Sequence, residues 1–154
     1  SLLLLSRIQN GQFTQTTEVA MAPHVRQTVE MLSDIYEDKK LSFGIREEGG
    51  CTARMDESLA HTLLANLIKN AIVHSPDGGH VDVRVGSREV EISNDGPSAL
   101  DPRQIFRRFH KGDTLHKEST GLGLSIAQSI ASLYNIGIDY RYDGRHHFTL
   151  KFPK

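Results

Sequence analysis

Two asparagines and a glycine-rich stretch carry most of the chemistry this sequence offers. Asn66-Leu67-Ile68-Lys69-Asn70-Ala71 lies where apolar residues recur at helical spacing, so Asn66 and Asn70, with Val73 and His74, share one stripe of a helix. Carboxamide oxygens suit a hard cation such as Mg²⁺, which takes oxygen ligands, keeps several waters and relies on substrate phosphates. Further along, Ser119-Thr120-Gly121-Leu122-Gly123-Leu124-Ser125 opens a second helix. Glycines there let phosphate oxygens approach bare backbone, and the free N–H groups and positive helix end favour the anion. Together the two segments predict a Mg-nucleotide site. It is not a P-loop, because no lysine follows Gly123. It is not a dinucleotide fingerprint either, because Ile126 replaces the third glycine and no strand runs directly into it. A third segment, Ser93-Asn94-Asp95-Gly96-Pro97-Ser98, sits at a strand end and offers a carboxamide or carboxylate to an adenine amino group. Each segment alone has a plainer meaning: capping or solvated asparagines, a glycine-assisted helix start, and a turn that Asp-Gly-Pro favours regardless of function.

The surrounding elements must hold these segments. Gln12 to Met21 is threonine-rich and reads as a strand. Pro23 suits the first turn of a helix carried by Val25, Val29, Leu32, Ile35 and Tyr36 to about Lys40. Leu41 to Arg46 alternates as a strand, and Cys51 to Arg54 reads as a short one. Asp56 caps a helix from Glu57 to His74, which Ser75-Pro76-Asp77-Gly78-Gly79 ends. Val81 to Val85 and Val90 to Ser93 flank a Gly86-Ser87-Arg88 turn. Asn94 to Thr120 lacks periodicity, and loops beyond ~12–15 residues are usually functional or disordered. Gly121 to Leu133 is the last helix, followed by strands Ile136 to Tyr142 and Phe148 to Phe152. The fold class is α/β: a two-layer sandwich with a mixed, mostly antiparallel sheet, about three helices on one face, and a long flexible lid.

Composition bounds the function. The 154 residues fit one domain, and a net charge of −1 provides no basic field for nucleic acid. The single cysteine, Cys51, rules out an internal disulfide and reads as a strand or core residue. No apolar run approaches the ~20 residues of a membrane span. Ser1 to Leu5 lacks the basic flank and cleavage site of a signal peptide and continues to Gly11, a helix stop. It reads as the tail of an amphipathic helix, so a fragment of a longer protein is expected.

The order of the motifs resembles the ATP-binding catalytic domain of bacterial sensor histidine kinases, along nearly the whole chain. Asn66 to Ala71 is similar to that family's N box, and Asn94 to Ser98 to its first glycine box. Ile105-Phe106-Arg107-Arg108-Phe109 is similar to its F box, and Thr120 to Leu124 to its second glycine box. The resemblance implies the Bergerat ATP-binding fold of the gyrase, heat-shock chaperone, histidine kinase and mismatch-repair ATPases. It implies residues 1–11 as the tail of a dimerisation and phosphoacceptor hairpin and 12–154 as the catalytic domain. It implies Asn70 as the Mg²⁺ ligand and Asn66 as the catalytic, phosphate-contacting residue. His74 would lie against adenine, which Asn94 would read beside Gly96. Arg108 and Lys111 would face the phosphates of ATP from the lid. Thr120, Gly121, Leu122, Gly123 and Leu124 would close on the triphosphate, and Leu124, Ile72 and Ile92 are candidate walls of the adenine pocket.

This sequence departs from the family's pattern in several places. Asn94 replaces the adenine-reading aspartate, with Asp95 as its substitute if the register slips by one. Ser98 and Ser119 replace glycines, and Val73 stands where many relatives have a phosphate-contacting lysine. No histidine is followed by an acidic residue, so the phosphoacceptor is expected upstream. The implied partners are the phosphoacceptor domain of the same kinase, as a homodimer, and a response-regulator receiver domain, with no nucleic acid or membrane contact. The implied setting is the cytoplasmic part of an inner-membrane-anchored sensor. The alternatives are a degenerate, non-catalytic signalling domain of the same fold and an anti-sigma-factor-like serine kinase. Topoisomerase, chaperone and mismatch-repair ATPases usually have a glutamate base where Asn66 stands, which argues against them.

Overall fold

The computed structural model describes residues 2–13, 15–97 and 123–154. A short helix, α1 (Leu2–Gln9), turns its Leu5 and Ile8 inward and packs on a later helix, α4 (Gly123–Leu133). Two short strands, β1 (Thr17–Ala20) and β3 (Thr52–Met55), form an antiparallel ribbon of their own. Each strand leads into a helix. β1 runs straight into α2 (Met21–Ile35), whose first N–H donates to the Cys51 carbonyl at 3.0 Å. β3 runs into α3 (Glu57–Val73), capped by Asp56 Oδ1, which accepts from the Leu59 N–H at 3.0 Å. The strand expected over Gln12 to Met21 is thus confined to four residues, because Met21 already belongs to α2. α2 also stops at Ile35, short of Lys40; a 3₁₀ turn (Glu37–Lys39) follows, and Lys40 takes a left-handed conformation.

The main sheet has five strands in the order β2 (Ser42–Glu47), β4 (His80–Val85), β5 (Glu89–Asp95), β7 (Arg145–Lys151) and β6 (Gly137–Tyr142). β2 and β4 are parallel and the other pairings antiparallel. A parallel pair needs a crossover, and β3 with α3 supplies it. α3 is the central helix, packed between α2 and α4 above the sheet. Its Leu59, Leu63, Leu64, Leu67, Ile68 and Ile72 are at most 1 % exposed, and fully burying each such side chain is worth about 1.5–3 kcal/mol. The mixed two-layer architecture follows the sequence reading, with the β1–β3 ribbon as an addition to it.

Along β5 the pleat alternates. Val90, Ile92 and Asn94 face the helices, while Glu89, Glu91 and Asp95 face the other side of the sheet. That other side is a charged lattice in which Arg84 meets Glu48, Glu89 and Glu91, and Arg145 meets Asp82 and Asp95. Cys51 is 2 % exposed, and its thiol is pushed up to about 11 by burial and then by Glu89, so it is an inert core residue.

Candidate functional site

α3 delivers the two asparagines. Asn66 and Asn70 are half-buried, at the border between the apolar arc of the helix and its exposed side. Asn66 Oδ1 lies 3.6 Å from the place a Cβ on Gly123 would occupy. The glycine that starts α4 therefore abuts the carboxamide stripe of α3, and the two segments singled out in the sequence meet in space. The first turn of α4 carries N–H groups with no partner inside the helix, beside the Asn66 side-chain oxygen. Val73 does not share that stripe: it is 2 % exposed and turned inward, because a central helix flanked on both sides has a wide apolar arc. His74 caps the C-terminus of α3, half-buried, with its N–H donating to the Asn70 carbonyl at 3.1 Å.

β5 delivers the third segment. Asn94 is 1 % exposed on the helix-facing side of the sheet, and its Nδ2 donates to the Asp95 carbonyl at 2.9 Å. With the amide nitrogen held there, the carboxamide oxygen is the atom left to receive a donor. Asp95 cannot take over by a slip of register, because it faces the opposite side. There it accepts from the His80 N–H at 2.8 Å and from Arg145 Nε at 2.9 Å. Burial raises the Asp95 pKa, but the bonds from His80 and the Arg145 guanidinium outweigh it and leave the carboxyl below its ordinary value.

Gly96 is needed for a reason the sequence does not announce. A Cβ there would run into the His146 ring. His146 is 4 % exposed, its Nδ1 lies 2.8 Å from the Tyr140 hydroxyl, and its pKa is lowered by burial and then by His147. The Tyr142 hydroxyl donates to the Gly96 carbonyl at 2.9 Å. None of these three side chains stands out as a site residue in the sequence. The available signal is Tyr142-Asp143-Gly144-Arg145: an Asp-Gly turn, with Gly144 at φ +99, pairs Tyr142 with His146 across a tight hairpin.

Leu124 is half-buried against the core at the start of α4, while Ile72 and Ile92 are fully buried core residues. Arg108, Lys111, Thr120, Gly121 and Leu122, the F-box-like segment 105–109, and Ser98 and Ser119 lie outside the described residues. The donor set suits a hard cation: the Asn66 carboxamide oxygen lies at the glycine start of α4, Asn70 is one turn along the same helix, and among the described residues no three His, Cys, Asp or Glu side chains converge as a transition-metal site requires.

Residues 55–154 match the family model for the histidine kinase-, DNA gyrase B- and HSP90-like ATPases. The sensor histidine kinase HprS of Escherichia coli is 26 % identical over 164 residues, covering 100 % of this chain and 35 % of that protein. The heme sensor protein HssS of Staphylococcus saprophyticus is 32 % identical over 163 residues, covering 100 % of this chain and 35 % of its own length. This chain thus spans about a third of the length of these relatives. In fold it is similar to the cytoplasmic segment of histidine kinase QseC, with a TM-score of 0.76 at 17 % identity, covering 99 % of this chain and 91 % of that one. The chain belongs to the family of histidine kinase-, DNA gyrase B- and HSP90-like ATPases, and the curated relatives it matches from end to end include a sensor histidine kinase and a heme sensor protein.

Proposed function

We propose that this chain binds Mg-ATP between α3, α4 and the end of β5 and supplies the γ-phosphoryl group for histidine phosphorylation in a two-component signalling kinase. The observation that carries the reading is the approach of Asn66 Oδ1 to Gly123, which joins a carboxamide stripe to a helix start. Asn70 would hold Mg²⁺ through its side-chain oxygen, and Asn66 would contact the phosphates. The ion's contribution, when bound, is to neutralise charge on the phosphates. The chain's own residues do the positioning. The α4 N-terminus offers backbone N–H groups to the triphosphate, and Asn94 offers its oxygen to the adenine amine. Arg108 and Lys111 would add positive charge, and Thr120, Gly121 and Leu122 would continue the backbone cradle. His74 would lie against the base.

The phosphoacceptor is supplied from outside this chain, on a dimerisation helix of which α1 is the tail. α1 seats Leu5 and Ile8 against the domain, so the helix that leads in is anchored close to α4. In the full protein a receiver domain of a response regulator would take the phosphoryl group onward. The setting is the cytoplasmic side of a membrane-anchored sensor. Among the described residues no helix is long and apolar enough to cross a membrane.

The test is a phosphotransfer assay on a longer chain that includes the helices upstream of Ser1, using ATP labelled at the γ-phosphate. Acid-labile, base-stable label on a histidine that disappears with Asn70→Ala supports the reading. A longer chain that binds Mg-ATP and never becomes labelled favours the second reading, a non-catalytic signalling domain. The sequence feature favouring that alternative is Val73, a valine where the resemblance leads one to expect a phosphate-contacting lysine.

A further inference from the structure

The end of β5 and the Gly96 that follows it are held from behind by the β6–β7 hairpin. Tyr142 and Tyr140 lie two apart on β6 and therefore on one face of the sheet, with Tyr142 paired to His146 and Tyr140 to Phe148. That face is the helix side, since Phe148 pairs with the core residue Ile92 and His146 with Asn94. The Tyr142 hydroxyl reaches back to donate to the Gly96 carbonyl at 2.9 Å. The His146 ring, 5.1 Å from the Tyr142 ring between centroids, fills the space under Gly96 that any side chain there would need. Tyr140 fixes the His146 ring through its hydroxyl, 2.8 Å from Nδ1. On the far side of the sheet, His80 and Arg145 grip the Asp95 carboxylate. Asp95 is therefore clamped by its side chain and Gly96 by its carbonyl. The Asp95 carbonyl between them holds the Asn94 amide nitrogen at 2.9 Å.

We propose that Tyr142 is a positioning residue for base recognition: by fixing the end of β5 at Gly96 it keeps the Asn94 carboxamide oxygen toward the nucleotide, so the site prefers a purine with an amine donor rather than a carbonyl at C6. This rests on the nucleotide reading above and deepens it. A carboxylate presents an acceptor whichever way it rotates. A carboxamide presents a donor or an acceptor according to which end is tied down. With a carboxamide at Asn94, the sign of recognition is set by the strand end that ties its nitrogen to the Asp95 carbonyl. A rotated amide would offer its N–H to the C6 carbonyl of guanine. Tyr142 holds the strand end in the orientation that rejects it.

Calorimetric titration of this chain with Mg-ATP and with Mg-GTP tests the proposal, using the unaltered chain, Tyr142→Phe, Asn94→Ala and the double variant, with a melting curve for each. Tyr142→Phe keeps the ring and loses one hydroxyl. The expected result is an affinity for Mg-ATP lowered about fivefold, the value of one neutral hydrogen bond. Affinity for Mg-GTP stays unchanged or rises, and the melting temperature moves little. If Tyr142 acts through Asn94, the double variant binds Mg-ATP no more weakly than Asn94→Ala alone. An unchanged Mg-ATP affinity in Tyr142→Phe, equal losses for both nucleotides, or additive losses in the double variant each overturn the proposal. Failure of the unaltered chain to bind either nucleotide overturns the site reading itself, and the proposal with it.

Discussion

Asn94 shows how a single carboxamide departs from a simple swap. Its Nδ2 donates to the Asp95 carbonyl at 2.9 Å while the residue is 1 % exposed. Asn94→Asp would bring a carboxylate against that carbonyl and leave no donor between them. The expected outcome is a domain destabilised by about 1–3 kcal/mol at neutral pH, seen as a lower urea midpoint, and partly recovered by saturating Mg-ATP. A midpoint unchanged without nucleotide would show that the Asn94–Asp95 bond carries no weight. At this scale the sequence was legible where one residue's side chain decides its role. The helical spacing of Asn66 and Asn70 was enough to put them on one face. It was not enough to say that Val73 turns inward, since that depends on α2 and α4 packing on either side of α3. The choice between Asn94 and Asp95 likewise needed the register of β5 with β4 and β7.

Elements hold the site through their ends. The Asp56 cap starts α3 ten residues before Asn66 in a helix of 17 residues, so it sets the axis on which both asparagines ride. Asp56→Ala should lower stability by about 1 kcal/mol, read from urea denaturation, with nucleotide affinity little changed. Gly96→Ala has a different signature. Its methyl group would displace a His146 ring hemmed in by Tyr140 and Tyr142. That should cost about 1–3 kcal/mol and also weaken Mg-ATP binding, because the displaced strand end carries Asn94. Equal nucleotide affinity in Gly96→Ala would separate the strand end from the site. Most elements could be read from periodicity, the α3 cap and the Ser75–Gly79 stop among them. The β1–β3 ribbon could not, because its pairing joins residues distant in sequence. The start of β7 at Arg145, earlier than the Phe148 expected, follows from the Asp143–Gly144 turn, a local signal outweighed by the apolar alternation after it.

For the whole molecule, the titrating groups make acid unfavourable. The folded-state pKa of His146 lies below its ordinary value, through burial and then His147, so the unfolded chain binds the extra proton first. Its contribution to stability is complete above the unfolded value of 6.5 and is lost as pH falls from there toward the folded pKa. Asp95 is also depressed, and Asp143 is brought down to about 2 by bonds from His147 and Arg141. Their contributions are present above the ordinary value of 3.8 and disappear as pH drops below it toward the folded pKa values. The urea midpoint should therefore fall in two stages, the first as pH drops below about 6.5 and the second below about pH 4. His146→Gln should flatten the first stage and leave the second. A first stage unaltered in that variant would assign it to another histidine.

We propose that the carboxamide stripe of α3 and the glycine start of α4 form one Mg-dependent nucleotide site. The decisive experiment is calorimetric titration of this chain with ATP, in Mg²⁺ and again in excess chelator, with Asn70→Ala alongside. Saturable binding in Mg²⁺ should weaken at least about tenfold both in chelator and in Asn70→Ala, a loss of about 1.4 kcal/mol. No heat of binding at millimolar Mg-ATP, or binding indifferent to both the metal and Asn70, would contradict it.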